Sequence, residues 1–394
     1  MKFPANRVAP PLWLLVLVTF SGTLAMHMFV PALPLVAREL HATTAAAQLS
    51  ISLYILGLAL GQLVYGPLSD RWGRRPTLLA GLSLYTAAAA LCLAAPNVHT
   101  LLAGRLLQAL GGCAGLLLAR AIVRDTSDAQ QTLQRLATLG LITLIGPGVA
   151  PLLGAVVVSH AGWRWVCACF VALGAVALAA VALRLPETRP AVAAQPRRGS
   201  LLADARVLLR SRDFVACALG GGCSTTAFYA FVAAAPFIFV ERLHRPLHEV
   251  GLYLMAPVVG MSLGNFAASR LAPRVAPLGL MRCGATLSLA CALALLAALA
   301  LAQPPAWAVA AVMGVHAAGA GLTSPAVSTR ALSVDPRLTG SAAGLYGFTQ
   351  MAIGALCSAL AGLGTDHGVA AALVLVGAGA VAQTAFRLGL RTPA

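Results

Sequence analysis

GPLSDRWGRRP, Gly66 to Pro76, is the stretch on which the fold turns. It lies between two long apolar runs and combines small residues, one carboxylate and three arginines. Gly66 allows a helix end to pack closely against a neighbour. Asp70 is an anion suited to a helix N-terminus or to an arginine partner. Gly73 permits a sharp turn. Arg71, Arg74 and Arg75 hold the loop on the cytoplasmic side of a membrane.

The composition agrees with that reading. Of 394 residues, 59% are hydrophobic and 10% charged, and the mean hydropathy is +0.86. A soluble domain carries about 25% charged residues. A spanning helix needs about 20 apolar residues, so this length with short loops allows about twelve. Apolar runs predict helices at about 11–33, 46–67, 77–96, 99–119, 134–158 and 163–184, then 213–240, 248–270, 278–302, 305–329, 339–362 and 368–388. The external breaks are PALP (Pro31–Pro34), APN (Ala95–Asn97), SHAGW (Ser159–Trp163), ERLHRPLHE (Glu241–Glu249), QPP (Gln303–Pro305) and GTDHG (Gly364–Gly368).

The net charge of +16 invites a nucleic-acid reading, which the distribution of arginines excludes. Only Arg38, Arg164, Arg242 and Arg245 fall on the outer side, and Arg105 lies within a span. Lys2, Arg7 and every other arginine fall on the opposite side, some at span ends. The asymmetry places both termini in the cytoplasm. No basic stripe with interleaved aromatics remains for nucleic acid. The nine cysteines fall mostly in apolar runs and read as small core residues, with neither disulfide nor metal spacing. The first run, about Pro11 to Val30, is too long for a signal h-region and reads as an uncleaved helix.

The one long polar insert runs from Leu185 to Asp213. Its first part is rich in Pro and Arg and reads as a linker. Ser200 to Arg210 reads as a short amphipathic helix on the inner membrane surface. The insert divides the chain into an N-terminal six-helix bundle (1–184), a cytoplasmic linker (185–212) and a C-terminal six-helix bundle (213–394). GNFAASRLAPR, Gly264 to Arg274, reads as a worn copy of the Gly66–Pro76 loop, with its glycine and two arginines but no acid.

Two motifs inside spans bear on mechanism. In RLLQALGG, Arg105 to Gly112, a positive charge sits about six residues deep, roughly 9 Å at 1.5 Å per residue. Such a charge in hydrocarbon costs about 3 to 17 kcal/mol. Snorkelling to the outer interface is the bland explanation; a place in the transport site is the functional one. Gln108 shares its face. In GPGVAPLLGA, Gly146 to Ala155, Pro147 and Pro151 would break a soluble helix. In a membrane, close neighbours re-satisfy the freed carbonyls, and Gly146, Gly148 and Gly154 allow that closeness.

These runs resemble the major facilitator superfamily of transporters. Gly66–Pro76 closely resembles its signature loop between helices 2 and 3; a positive-inside loop alone would not explain Gly66, Asp70 and Gly73 at those offsets. RLLQALGG resembles the helix-4 motif of proton-coupled members, which implies a coupling role for Arg105. GPGVAPLLGA resembles the helix-5 motif of the drug/proton antiporter branch. Ile51–Asp70, GWRW (Gly162–Trp165), PETRP (Pro186–Pro190) and GSAAGLYGFTQ (Gly340–Gln350) extend the resemblance to the Bcr/CflA type of multidrug and chloramphenicol exporters. The resemblance also implies that Asp70, paired with the helix-11 N-terminus or with Arg124, locks one state of a rocking cycle.

One departure matters. In that group an acid precedes the PALP segment; here HMFVPALP puts His27 in its place. Some multidrug relatives carry a second acid two turns earlier, where this chain has Thr19. None of the eleven carboxylates is expected deep in the membrane. His27, with a reference pKa of about 6.5, can take over as the titrating group; an inert, hydrogen-bonded histidine is the plain alternative. His316 is a second candidate. The expected cavity wall is Tyr54, Gln108, Phe228, Tyr229, Phe231, Tyr253, Met255, His316, Tyr346 and Gln350, aromatic and flexible as promiscuous sites are.

The expectation is an all-α, twelve-helix major facilitator fold of two six-helix bundles in a bacterial-type inner membrane, working as a monomer. It exports small amphipathic compounds, drugs among them, by alternating access in exchange for protons. The alternative is a metabolite exporter or facilitator with weak or no proton coupling. No nucleophile elbow, phosphate loop or metal spacing suggests an enzyme or a cofactor.

Overall fold

The structure, a computed structural model, describes residues 10–188, 201–335, 338–364 and 366–390. Lys2, Arg7, Arg189, Pro190, Arg197, Arg198, Ser200, Arg337 and Arg391 therefore lie outside the described residues, as does most of the Pro/Arg-rich linker.

Among the described residues, eleven helical segments are long and apolar enough to cross a membrane. They are α1 (Leu12–Glu39), α2 (Thr44–Trp72), α3 (Arg74–Leu93), α4 (Val98–Thr126), α6 (Trp163–Arg184), α7 (Arg212–Arg242), α8 (Leu247–Leu271), α9 (Pro277–Leu301), α10 (Ala306–Leu332), α11 (Thr339–Ala361) and α12 (His367–Gly389). The remaining long helix, α5 (Ala129–Ala161), has Gly146–Ala161 as its described apolar part. Polar side chains set several starts by accepting the orphan backbone N–H groups of a first turn. Thr43 caps α2, Asn97 α4, Asp128 α5, Ser211 α7 and Asp366 α12. Gly73 and Gly162, at φ 102° and 89°, make one-residue turns between α2 and α3 and between α5 and α6. A side chain there would strain the backbone.

Three expectations are corrected. PALP does not end the first helix. Leu12–His27 gives way to a 3₁₀ turn at Val30–Ala32, then helix resumes over Leu33–Glu39. Pro31 and Pro34 fall at helix starts, where a missing N–H costs nothing. The seventh helix is also broken: Arg212–Thr225 is followed by Tyr229–Pro236 and a π-helical turn at Phe237–Arg242. α5 starts five residues early and runs through both prolines unbroken. The short helix of the insert, Leu201–Arg210, packs on α7 and α11, and Ser341 donates to Asp204 at 2.6 Å.

Packing within the first six helices recurs in the last six. α2 packs on α4 as α8 does on α10, and α3 on α6 as α9 does on α12. Where α1 packs on α4, α7 packs on α10. Two details repeat as well. RELH (Arg38–His41) and ERLH (Glu241–His244) close α1 and α7, and both histidines have positive φ, 48° and 52°. Glu39 pairs with Arg164 at 2.7 Å, while Arg242 pairs with Asp366 at 2.6 Å, the same bridge with its charges exchanged.

The two sets of six meet through α2 with α11 and α5 with α8. At the arginine-poor end one apolar core runs through both sets. There Ser52 donates to Ser358 at 3.0 Å, and a Cβ on Gly251 would lie 2.8 Å from the Leu152 backbone. Towards the arginine-rich end the last six helices have separate cores, around Phe214 and Phe386 and around Leu280 and Leu322. The assembly is thus sealed at the arginine-poor end.

Candidate functional site

The two broken helices face each other. The α1 break carries His27, Met28 and Phe29; the α7 break carries Thr226, Ala227 and Phe228. The Tyr229 ring lies 6.4 Å from that of His27 and 4.3 Å from that of Phe228. His27 is almost fully buried, and its Nδ1 donates to the Thr23 carbonyl at 3.0 Å. In the neutral ring that bond leaves Nε2 as the acceptor. Interrupted membrane helices expose backbone and polar groups only where protein or a site satisfies them.

Behind the α1 break lies Arg105, with no exposed surface. It does not snorkel. Its guanidinium donates to the Ala25 carbonyl at 2.9 Å and to Gln108 Oε1 at 2.7 Å. The rings of Tyr54 and Phe29 cover it at 4.2 and 4.5 Å, with Phe170 at 6.0 Å. Cation–π contacts of this kind gain strength once water is excluded. Arg105 Nε and Gln108 Nε2 are buried without a hydrogen-bond partner. Tyr54 donates to the Gly22 carbonyl at 2.8 Å and is fully buried, so it belongs to this inner cluster and not to a cavity wall.

On the other side, Gln350 Nε2 donates to Thr225 Oγ1 at 2.9 Å and to the Tyr346 hydroxyl at 3.0 Å. Thr226 donates to the Gln350 carbonyl at 2.7 Å. α11 is thereby tied to the α7 break. Other expected wall residues lie elsewhere. Tyr253 sits at the arginine-poor end, donating to Glu249 at 2.5 Å and accepting from Arg245 at 3.3 Å. That contact, with the Glu249 charge, raises the Arg245 pKa. His316 Nδ1 donates to the Ser288 carbonyl, and the Ser288 hydroxyl donates to the His316 carbonyl, both at 2.9 Å. This locks α10 to α9. Phe231 is buried edge-on to Phe239 at 6.2 Å, and Met255 is half-buried on α8. A groove of about 510 Å³ lined by Ser328, Thr329, Leu332, Ser333 and Thr339 lies apart, at the arginine-rich end.

The Gly66–Pro76 loop is built as a charge cluster. Arg74 donates to Ser69 Oγ and Asp70 at 2.6 Å each and to Asp125 at 2.8 Å. Asp70 therefore pairs with Arg74, four residues on across the Gly73 turn, rather than with Arg124, which is exposed, or with α11. Glu187 of the PETRP run accepts from the backbone N–H groups of Arg74 and Arg75 at 2.9 and 3.2 Å. It caps α3, where an anion is favoured. A Cβ on Gly73 would sit 2.5 Å from that carboxylate. Arg75 donates to the Ala182 carbonyl at 2.8 Å, and Arg71 is exposed. Gly66 does not serve the close packing expected of it, since a Cβ there would meet nothing within 4 Å. It lies towards the end where the two sets of helices are not sealed.

In GPGVAPLLGA, closeness is real at Gly154, where a Cβ would come within 2.0 Å of the Met28 carbonyl oxygen. The helix-5 motif thus clamps the α1 break. A Cβ on Gly146 would lie 3.3 Å from Phe20, and one on Gly148 3.5 Å from Val258 of α8. Pro151 is buried and Pro147 half-buried.

A sequence profile described as Major Facilitator Superfamily matches residues 15–359. The chain belongs to the Major Facilitator Superfamily. As a superfamily member it is a multi-pass membrane transporter of small molecules and not an enzyme. It is 28% identical over 379 residues to the "Uncharacterized MFS-type transporter YdgK" of Bacillus subtilis, covering 95% of this chain and 94% of that one. It is 25% identical over 336 residues to the "Bicyclomycin resistance protein homolog" of Haemophilus influenzae, covering 85% and 84%. The crystal structure of a D-xylose-proton symporter superposes with a TM-score of 0.75 at 14% identity, over 96% of this chain and 97% of that one, and shares the superfamily fold.

Sequence reasoning missed Glu187 as a helix cap, Gln350 as a crosslink to Thr225, and the α7 break itself. A signal existed only for the repeat. RELH and ERLH hold the same four residue types, with the first two exchanged, and follow runs containing proline.

Proposed function

We infer that this superfamily member exports small amphipathic compounds, drugs among them, across a bacterial-type inner membrane in exchange for protons. The observation that carries the reading is the meeting of the α1 and α7 breaks around His27, Arg105 and Gln108, with one end sealed by apolar packing. A small molecule held there would be cut off from that side, as alternating access requires. The bicyclomycin resistance homolog supports export of amphipathic drugs. In this reading the arginine-rich end and both termini face the cytoplasm. Bundles 1–184 and 213–394 rock as bodies joined by the 185–212 linker, and the Asp70–Arg74–Asp125 cluster holds one state. The helix-5 residues Gly146, Pro147, Pro151 and Gly154 keep α1 bent.

His27 is the proton carrier in this scheme, with Nε2 open to a proton and Arg105 as the nearby fixed charge. The test is substrate-triggered proton release from pH-gradient-loaded proteoliposomes with chloramphenicol. Wild type should release protons, and His27→Ala should abolish the signal while keeping substrate binding. Chloramphenicol movement without proton release in either protein would replace antiport by facilitated export. That second reading is favoured by one observation: every carboxylate lies in a connection, in the insert helix, or within three residues of a helix end.

A further inference from the structure

We propose that the central site selects amphipathic acids, compounds carrying a carboxylate or like anion, and rejects lipophilic cations. The substrate supplies the counter-charge that the chain lacks. This inference rests on reading the α1–α7 junction as the transport site.

Five arginines at or beside helix ends pair with acids. Arg74 pairs with Asp70 and Asp125, Arg164 with Glu39, Arg242 with Asp366, Arg245 with Glu249 and Arg330 with Asp213. Arg105 differs in lying fully buried inside a span. It has no exposed surface, and its partners are all neutral: the Ala25 carbonyl, the Gln108 amide and aromatic faces. A helix C-terminal carbonyl carries at most about half a negative charge. The rest of the guanidinium charge is uncompensated in a medium that screens poorly. All eleven carboxylates are described, and none lies at the centre.

An anion held at the junction balances the fixed Arg105 charge through space, whereas a cation adds to it. Charges of one sign around a dry site set its selectivity by repulsion as much as by attraction. The polar groups around the junction include His27, Thr225, Thr226, Tyr229, Tyr346 and Gln350. Arg105 is walled off by Phe29 and Tyr54, so it acts as a fixed internal charge and need not touch the ligand.

The experiment compares matched probes on the full-length purified protein: 2-naphthoate and 2-naphthyltrimethylammonium, which share a ring system and differ in charge. Binding is read by calorimetry in nanodiscs of neutral lipid, which removes any contribution from surface lipid charge. Wild type is expected to bind the naphthoate about 10-fold or more tightly than the ammonium, since like-charge juxtaposition costs several kcal/mol and each tenfold corresponds to about 1.4 kcal/mol. Arg105→Gln should erase the preference. Should that variant fail to fold, Gln350→Glu, which adds a central carboxylate, should reverse it. Absence of naphthoate binding, or ammonium binding as tight, overturns the proposal. Counterflow of chloramphenicol in proteoliposomes is measured in parallel. Its failure would count against export and not against the selectivity, so the two readings fail separately.

Discussion

At the scale of single residues, the glycines separate into those that hold the fold and those that do not. Gly154 faces the Met28 carbonyl so closely that any side chain must displace the α1 break. Overpacking of this kind costs about 1–3 kcal/mol. Gly154→Val should therefore lower the thermal midpoint of the purified protein and uncouple the site. Gly140→Ala and Gly66→Ala, where a Cβ meets nothing within 4 Å, should leave it unchanged or raise it, since alanine is the better helix former by up to about 1 kcal/mol. The sequence displays all three as glycines in or beside apolar runs and cannot rank them, because the difference lies in which backbone crosses at that level. Arg105 and Gln108 were legible as a pair, since their spacing places them on one helix face. Tyr54 was legible as important but not as the lid on Arg105. Side-chain chemistry survives in the sequence; the partner of a side chain 50 residues away does not.

At the scale of elements, what was hard to read is where helices break. Proline signals were present at PALP and in α5, yet only α1 breaks there. At α7 the break falls on Thr226–Phe228, with Pro236 ten residues past Thr226. A proline breaks a helix only when no neighbour answers the freed carbonyl, and the neighbour is a matter of packing. The start of α3 makes a similar point. Its cap is not a local Ser or Asp but Glu187, which follows α6. Glu187→Gln removes the charge while keeping the shape and should destabilise the α3 start by about 0.5–2 kcal/mol. Faster amide hydrogen exchange at residues 74–78, with the rest of α3 unaffected, is the expected signature; uniform exchange along α3 would show that the cap carries no local stability.

At the scale of the whole molecule, the question is which way the assembly is closed. One apolar core joins both sets of helices at the arginine-poor end, and the last six helices have separate cores at the other. The α2–α11 contact crosses that boundary in steps. A Cβ on Gly362 would lie 2.9 Å from Gln48, Ser52 donates to Ser358, and a Cβ on Gly347 would overlap the Gln62 amide. The seal thus extends along α2 from Gln48 to Gln62, fourteen residues or roughly 21 Å at 1.5 Å per residue, and stops short of Gly66. A rocking transporter must open this seam in the other half of its cycle. Ser52→Cys with Ser358→Cys, in a background without the native cysteines, brings two thiols to a place where the hydroxyl oxygens stand 3.0 Å apart. Oxidation should crosslink them, hold the arginine-poor end shut and abolish transport, and reduction should restore it. In the crosslinked protein Gly66→Cys should still label from the arginine-rich side while Gln48→Cys should not. Transport that survives a complete crosslink would mean that α2 and α11 never part, and the substrate path would then have to pass elsewhere than between the two sets of six.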